Sequence, residues 1–235
     1  MTGSLVTVSI GMLLFPQMTQ LDFTGPFEVL HRIPGAKVHV LWKNLEPVAA
    51  DSSLRLTPTA RLDDCPPLDV VFVPGGAGQM PLMHDDAVLD FLVGQAKTAR
   101  YVTSVCTGAL VLGAAGLLDG YEATTHWAYT ELLPLFGARP VRKRVVIDRG
   151  RITAGGVTAG IDFGLRIAAE IAGEQVARSI QLGLEYDPEP PFRSGHPDVA
   201  DAALVEATRE RLRGSLDERR VQSERAVAAR RGRWS

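Results

Sequence analysis

Cysteine is scarce in this 235-residue chain: Cys65 and Cys106 are the two it has. Two distant cysteines could close a disulfide in a secreted protein, but nothing before Val6 resembles a signal peptide, with no basic n-region and no cleavage site. Reduced thiols in a cytoplasm are therefore expected. Charge of one sign is lacking too. With 25 Lys and Arg against 27 Asp and Glu, the net charge is −2, which gives no global field for nucleic acid or an anionic membrane and fits small-molecule work. Every apolar segment is interrupted by Gly, Asp or Arg before about 18 residues, so no membrane-spanning helix is expected. The histidines (His31, His39, His84, His126, His196) are scattered, with no H-x-x-x-H or Cys/His cluster to suggest a metal. Neither G-x-G-x-x-G nor G-x-x-x-x-G-K-[ST] occurs at Gly75-Gly76 or Gly155-Gly156, which leaves a nucleotide site unsupported. There is no internal repeat and no low-complexity tract.

What the chain does have is apolar residues, 46% of the total, enough to bury one large domain with an appendage. Residues 5–15 read as a strand buried on both faces, 23–32 as a helix, and 36–42, 54–59 and 68–73 as further strands. Helical periodicity follows at 87–99, then a strand leading to Cys106, helices over 107–118 and 126–136, a hairpin of 141–147 with 151–154, and helices over 158–172 and 174–184. Strands alternating with helices predict an α/β fold, a flavodoxin-like doubly wound sandwich with a mostly parallel central sheet, whose ligands collect at the carboxyl ends of the strands. The composition changes after Tyr186. Residues 1–186 are expected to form the α/β domain, and 187–235 a Pro-rich connection and C-terminal helical extension. That extension carries Leu204, Thr208, Leu212 and Leu216 at four-residue intervals and, from Arg209 onward, nine arginines against four acids. Such a helix packs its Leu stripe on the body or on a second subunit and shows its arginines to water; a nucleic-acid-binding tail is the competing reading.

The chemistry centres on Tyr101-Val102-Thr103-Ser104-Val105-Cys106-Thr107-Gly108. An apolar, β-branched run meets a thiol and turns at once into helix-forming residues, a strand-to-helix elbow that aims backbone N–H groups at the sulfur and favours a thiolate. A buried structural cysteine is the alternative. Asp22, between Leu21 and Phe23 at the mouth of the first strand-to-helix connection, is either a helix N-cap or a carboxyl group kept protonated by burial, able to stabilise the thiolate. Glu28 is a weaker competitor. Thr107 either caps the following helix or reaches a group bound to sulfur. Gly75 and Gly76 form a plain turn or bring bare amides to the substrate, and His126 is a structural residue or the base of a Cys–His pair.

Four motifs in order, Val73-Pro74-Gly75-Gly76-Ala77-Gly78, Ser104-Val105-Cys106-Thr107-Gly108, Ala123-Thr124-Thr125-His126-Trp127 and Gly155-Gly156-Val157-Thr158-Ala159-Gly160-Ile161-Asp162, resemble the ThiJ/PfpI superfamily of class-I-glutamine-amidotransferase-like proteins over roughly residues 5–185. With Gln20-Leu21-Asp22-Phe23-Thr24-Gly25-Pro26-Phe27-Glu28 and Gln181-Leu182-Gly183-Leu184-Glu185-Tyr186-Asp187-Pro188, the chain looks more narrowly like the isonitrile (isocyanide) hydratase family. That resemblance implies addition of water to R–N≡C to give an N-substituted formamide, without metal or organic cofactor, by a homodimer. It makes Cys106 the nucleophile that forms a thioimidate, Asp22 the catalytic carboxyl group and Thr107 its neighbour. Gly75, Gly76 and His126 would stand on the substrate side.

Two other readings compete. His126 occupies the position from which relatives with glyoxalase, deglycase or amidase activities recruit a histidine, though those generally carry Glu where this chain has Asp22. The superfamily domain also serves as the ligand-binding half of AraC-type regulators, and a low-pKa cysteine can sense oxidants. Against the regulator, the roughly 50 residues after Tyr186 are too few for a tandem helix-turn-helix pair.

Overall fold

The computed structural model describes residues 7–233; the first two residues of the strand expected over 5–15 lie outside them. The strands are β1 (Val8–Leu13), β2 (Ala36–Trp42), β3 (Val48–Ala49), β4 (Arg55–Leu56), β5 (Ala60–Arg61), β6 (Val70–Val73), β7 (Tyr101–Val105), β8 (Glu122–Ala123), β9 (Arg139–Pro140), β10 (Val145–Asp148) and β11 (Arg151–Ala154). The helices are α1 (Gln20–Leu30), α2 (Gln79–Leu82), α3 (Asp86–Ala96), α4 (Gly108–Ala114), α5 (Ala159–Ala172), α6 (Glu174–Gly183) and α7 (Ala202–Arg233), with a 3₁₀ helix over Trp127–Phe136 between β8 and β9.

Seven strands form one sheet in the order β10-β11-β7-β6-β1-β2-β5. Every pairing in it is parallel except the β10–β11 hairpin. Leaving β1, the chain first builds outward to β2 and later returns to β6 on the other side. The direction of winding therefore reverses between β1 and β6, where the loops at their carboxyl ends part to leave a crevice. The central strands are buried because helices cover both faces: β6 and β7 are buried at every residue, Thr103 and Ser104 of β7 included, and Phe72 of β6 meets Phe163 of α5 ring to ring at 5.4 Å. Burying a side chain of that size contributes about 2–3 kcal/mol.

Helix α1 lies against α5 closely enough that a Cβ on Gly160 would stand 2.8 Å from Cδ of Pro26, and one on Gly164 2.8 Å from Cβ of Val29. This contact fixes the first turn of α1, which carries Asp22, over the sheet edge. The helix begins at Gln20, not at residue 23, and its N-cap is Thr19, which makes no side-chain cap. Asp22 is thus the third helical residue, and the N-cap reading of Asp22 is overturned. The expected strand over 54–59 is only the two residues of β4, with β5 following just beyond it, and the expected helix over 107–118 ends at Ala114, before Gly116 at φ 77°.

Helix α7 packs against the 3₁₀ helix, α4 and α2. Its inward face differs from the expected Leu stripe. Leu204 is 49% exposed, whereas the deepest residues are Arg219, Ser223 and Ala226, about one, two and three turns beyond Leu216. The expectation that the arginines of this helix face water fails at Arg219, which is 5% exposed.

Candidate active site

Cys106 follows the last residue of β7 and precedes α4 by one residue. Its φ of 54° is a left-handed conformation that a non-glycine residue avoids unless its surroundings hold it there. Here they do. Its amide donates to the carbonyls of Ala154 (3.0 Å) and Gly155 (3.2 Å), and its own carbonyl accepts from Oγ1 of Thr125 at 2.7 Å. The turn pushes the side chain out of the sheet edge into a pocket where Cys106 is 6% exposed. Cys65 is also a free thiol, half-buried and bonded through Sγ to the carbonyl of Pro66, and burial pushes it up to about 11.

Asp22, Gly75 and Thr107 close one side of this pocket. A Cβ on Gly75 would lie 2.7 Å from Cβ of Cys106, 2.6 Å from the Thr107 nitrogen and 2.8 Å from Oδ2 of Asp22. Any larger residue would wedge the carboxyl group away from the cysteine. Asp22 is fully buried, and neither of its oxygens closes a regular hydrogen bond. Burial drives its pKa up to about 7; the Cys106 thiol and the Gly75 amide pull the other way, and the charge of Asp51 adds to the rise. Near neutral pH the carboxyl group accordingly holds its proton about half the time.

The thiol is also pushed up, well above its ordinary value, first by burial and then by the negative charge of Asp22; the Thr107 amide and the Arg219 cation oppose this. The elbow thus supplies the amide expected of it, but one amide does not outweigh desolvation. With Asp22 near 7 and Cys106 far above it, the pair holds a single proton across a wide range above neutrality. Carboxylate with thiol, and carboxylic acid with thiolate, are two arrangements of that one proton.

The two glycines and Thr107 differ from their sequence-level expectation. Their amides are engaged: that of Gly75 acts on Asp22, and that of Gly76 donates to Oγ1 of Thr107 at 3.1 Å. The Thr107 hydroxyl therefore braces the glycine turn and makes no cap on α4, although Thr107 stands at the N-cap position. Gly76 has φ 130°, and a Cβ there would come within 2.4 Å of the Thr19 nitrogen. Glu28 is apart from this cluster, half-exposed and paired with Arg32.

His126 lies on the opposite side of the sulfur. A Cβ on Gly156 would stand 3.0 Å from Sγ of Cys106 and 2.5 Å from Cδ2 of His126, so ring and sulfur flank the same backbone. The ring caps the 3₁₀ helix by accepting the Ala128 amide on Nδ1 at 3.3 Å, which leaves its proton on Nε2. It packs on Trp127 and Tyr129. Burial and the Arg219 charge lower it to about 4. His126 is a neutral donor in this setting and a poor base. A groove of about 1120 Å³ opens on this side, lined by Thr125, Gly155 and Gly156 and, across from them, by Leu212 and Leu216 of α7.

Arg219 and Gly156 are the members of the site that sequence reasoning missed. Gly156 was legible as a break but not as the neighbour of sulfur. Arg219 stands three residues beyond Leu216 on a helix, so continuing the stripe by three-residue as well as four-residue steps would have placed it on the packed face. Among the described residues no group of three or more His, Cys, Asp or Glu is placed to hold a metal, and no helix is long and apolar enough to cross a membrane.

Comparison with known proteins finds relatives over nearly the whole chain. An isonitrile hydratase of Pseudomonas putida is 56% identical over 95% of this chain and 98% of its own length. The crystal structure of a ThiJ/PfpI family protein from Pseudomonas syringae superposes with a TM-score of 0.90 at 42% identity, covering 92% of this chain and 90% of that one. The HTH-type transcriptional regulator GbdR of Pseudomonas aeruginosa is 32% identical over 76% of this chain, which spans 51% of the regulator. The resemblance read from the motifs is thus borne out over nearly the whole chain. The DJ-1/PfpI family profile matches residues 8–170, and the chain belongs to that family.

Proposed function

We propose that the protein hydrates isonitriles to N-substituted formamides through Cys106 and Asp22. The observation that carries this reading is the buried carboxyl group, pushed up to about 7, set against the cysteine in a pocket whose histidine is too weak a base to serve it. The similarity to the Pseudomonas putida isonitrile hydratase supports it.

An isonitrile carbon is a poor electrophile until it is protonated, and one proton shared between an acid and a thiol meets that need. The Asp22 carboxyl group delivers its proton to the carbon while the Cys106 thiolate attacks it, giving a thioimidate, S–CH=N–R, and an Asp22 carboxylate. Water then adds to the same carbon as Asp22 takes one of its protons. The other water proton ends on nitrogen, the C–S bond breaks, and R–NH–CHO leaves as the pair regains its shared proton. Every bond and proton is accounted for by substrate, water and these two side chains, so the sequence of steps needs no metal or organic cofactor. Thr107 and Gly75–Gly76 hold the pair in line; the groove beside Gly156 admits the R group.

Carbonyl chemistry through a Cys106–His126 pair has less support, since Nδ1 of His126 already accepts a backbone amide and the ring is held neutral. A homodimer acting in the cytoplasm belongs to the same reading; light scattering should give twice the mass of the 25.3 kDa chain. The activity is tested by incubating the protein with cyclohexyl isocyanide and following formamide. Turnover that vanishes in Cys106→Ala supports the reading. Absence of turnover by wild type, with consumption of methylglyoxal, would replace it by the carbonyl reading.

A further inference from the structure

Asp22 and Arg219 are the one carboxylate and the one guanidinium that are buried among the described residues, and the charges of both act on Cys106. Arg219 comes from α7, far from the family motifs in sequence. Its Nη2 reaches the carbonyl of Gly76 at 3.5 Å, its Nη1 contacts the carbonyl and hydroxyl of Ser215, and its guanidinium lies over the Tyr129 ring at 4.5 Å. Tyr129 in turn shares a hydrogen bond with Ser215 at 3.2 Å. Among the described residues Nε has no hydrogen-bond partner and the guanidinium forms no ion pair with a carboxylate. Burying a cation without such a partner is costly.

The carbonyl it reaches is a hub. Gly76 also donates its amide to Thr107, and the adjacent Gly75 lies against both Asp22 and Cys106, where a Cβ would stand 2.8 Å from Oδ2 of the one and 2.7 Å from Cβ of the other. We propose that Arg219 is a positioning residue for the reaction at Cys106: clamped between Tyr129 and the Gly76 carbonyl, its guanidinium fixes the glycine turn that sets the Asp22–Cys106 contact, and its charge balances the negative charge of that pair. With one shared proton, the pair carries one negative charge in either arrangement. A fixed buried cation offsets it from the cysteine side of the pair. The groups facing the sulfur are Asp22 from α1, the Thr107 amide at the start of α4, His126 ahead of the 3₁₀ helix and Arg219 from α7, and the cation opposes the upward push on the thiol.

This inference rests on Cys106 being the reacting thiol, as proposed above. Its test reads the thiol without the substrate. In a Cys65→Ser background, the rate of Cys106 alkylation by iodoacetamide is followed against pH for Arg219, Arg219→Gln and Arg219→Lys, with kcat and KM for cyclohexyl isocyanide measured alongside. Arg219→Gln should slow alkylation at pH 8 about tenfold and move the profile up by about one pH unit. Arg219→Lys, which keeps the charge but loses the planar fork, should alkylate within about threefold of the parent while kcat falls about tenfold and KM stays within about threefold. An Arg219→Gln profile that overlays the parent, or an Arg219→Lys variant as slow to alkylate as Gln, overturns the proposal. If Arg219→Gln does not fold, Arg219→Lys alone decides: a profile moved by more than a unit, or an undiminished kcat, overturns it. Failure of wild type to hydrate isonitriles would remove the functional reading and leave the alkylation result standing.

Discussion

The two sides of Cys106 are built from the same material to opposite effect. On one side, α1 buries Asp22; on the other, the start of the 3₁₀ helix buries His126. Desolvation favours the neutral form of each, raising the acid to about 7 and lowering the base to about 4. Neutrality means different things for the two. A neutral carboxyl group near pH 7 has a proton to give and a carboxylate within reach, whereas a neutral imidazole three units below the working pH has little tendency to take one. On the proposed reading, burial, with the Arg219 charge adding to it on the histidine side, is what sets Asp22 apart from His126 as the partner of the thiol.

Substitutions on each side break or sharpen this contrast. Cys106→Ala should leave no measurable formamide production, since the thioimidate cannot form. Asp22→Asn should lower kcat by about 10²–10⁴, the usual contribution of a positioned acid–base group. The same substitution should stabilise the fold. A carboxyl group whose pKa is raised on folding contributes its full stability below its unfolded value and loses it as pH rises through about 7, a penalty of the order of 4 kcal/mol at pH 8. Asp22→Asn should therefore raise the urea midpoint at pH 8, with the gain shrinking towards pH 4; a midpoint unchanged at both pH values would remove the account of the raised carboxyl group. On the other side, His126→Ala should keep hydration within about tenfold, some 1.4 kcal/mol of barrier, and a loss of several orders of magnitude would give the histidine the role assigned here to Asp22.

Local signals explain what was legible beforehand. β2 runs over Ala36–Trp42 as expected, and the core strands β1 and β6 announced themselves as nearly continuous apolar runs because both their faces are covered. The elbow at Cys106 and the place of Asp22 in the first connection followed from motifs a few residues long. The start of α1 did not, because Thr19, its N-cap, gives its hydroxyl to Asp51 at 2.8 Å and not to the helix, so no capping pattern marks it. Nor did the fate of the glycine amides, which depends on Thr107 some thirty residues away, or the burial of Arg219, whose partners Gly76 and Tyr129 lie on other elements. Contacts set by tertiary packing are those that sequence periodicity does not carry.

The central claim is that Asp22 and Cys106 work as a pair holding one proton. The pH dependence of kcat/KM for cyclohexyl isocyanide between pH 5 and 9 tests it most directly. Below about 7 the pair gains a second proton and loses both carboxylate and thiolate, so the rate should climb through about 7 and then level off. A rate independent of pH across this range, as a controlling group near 4 such as His126 would leave it, would contradict it.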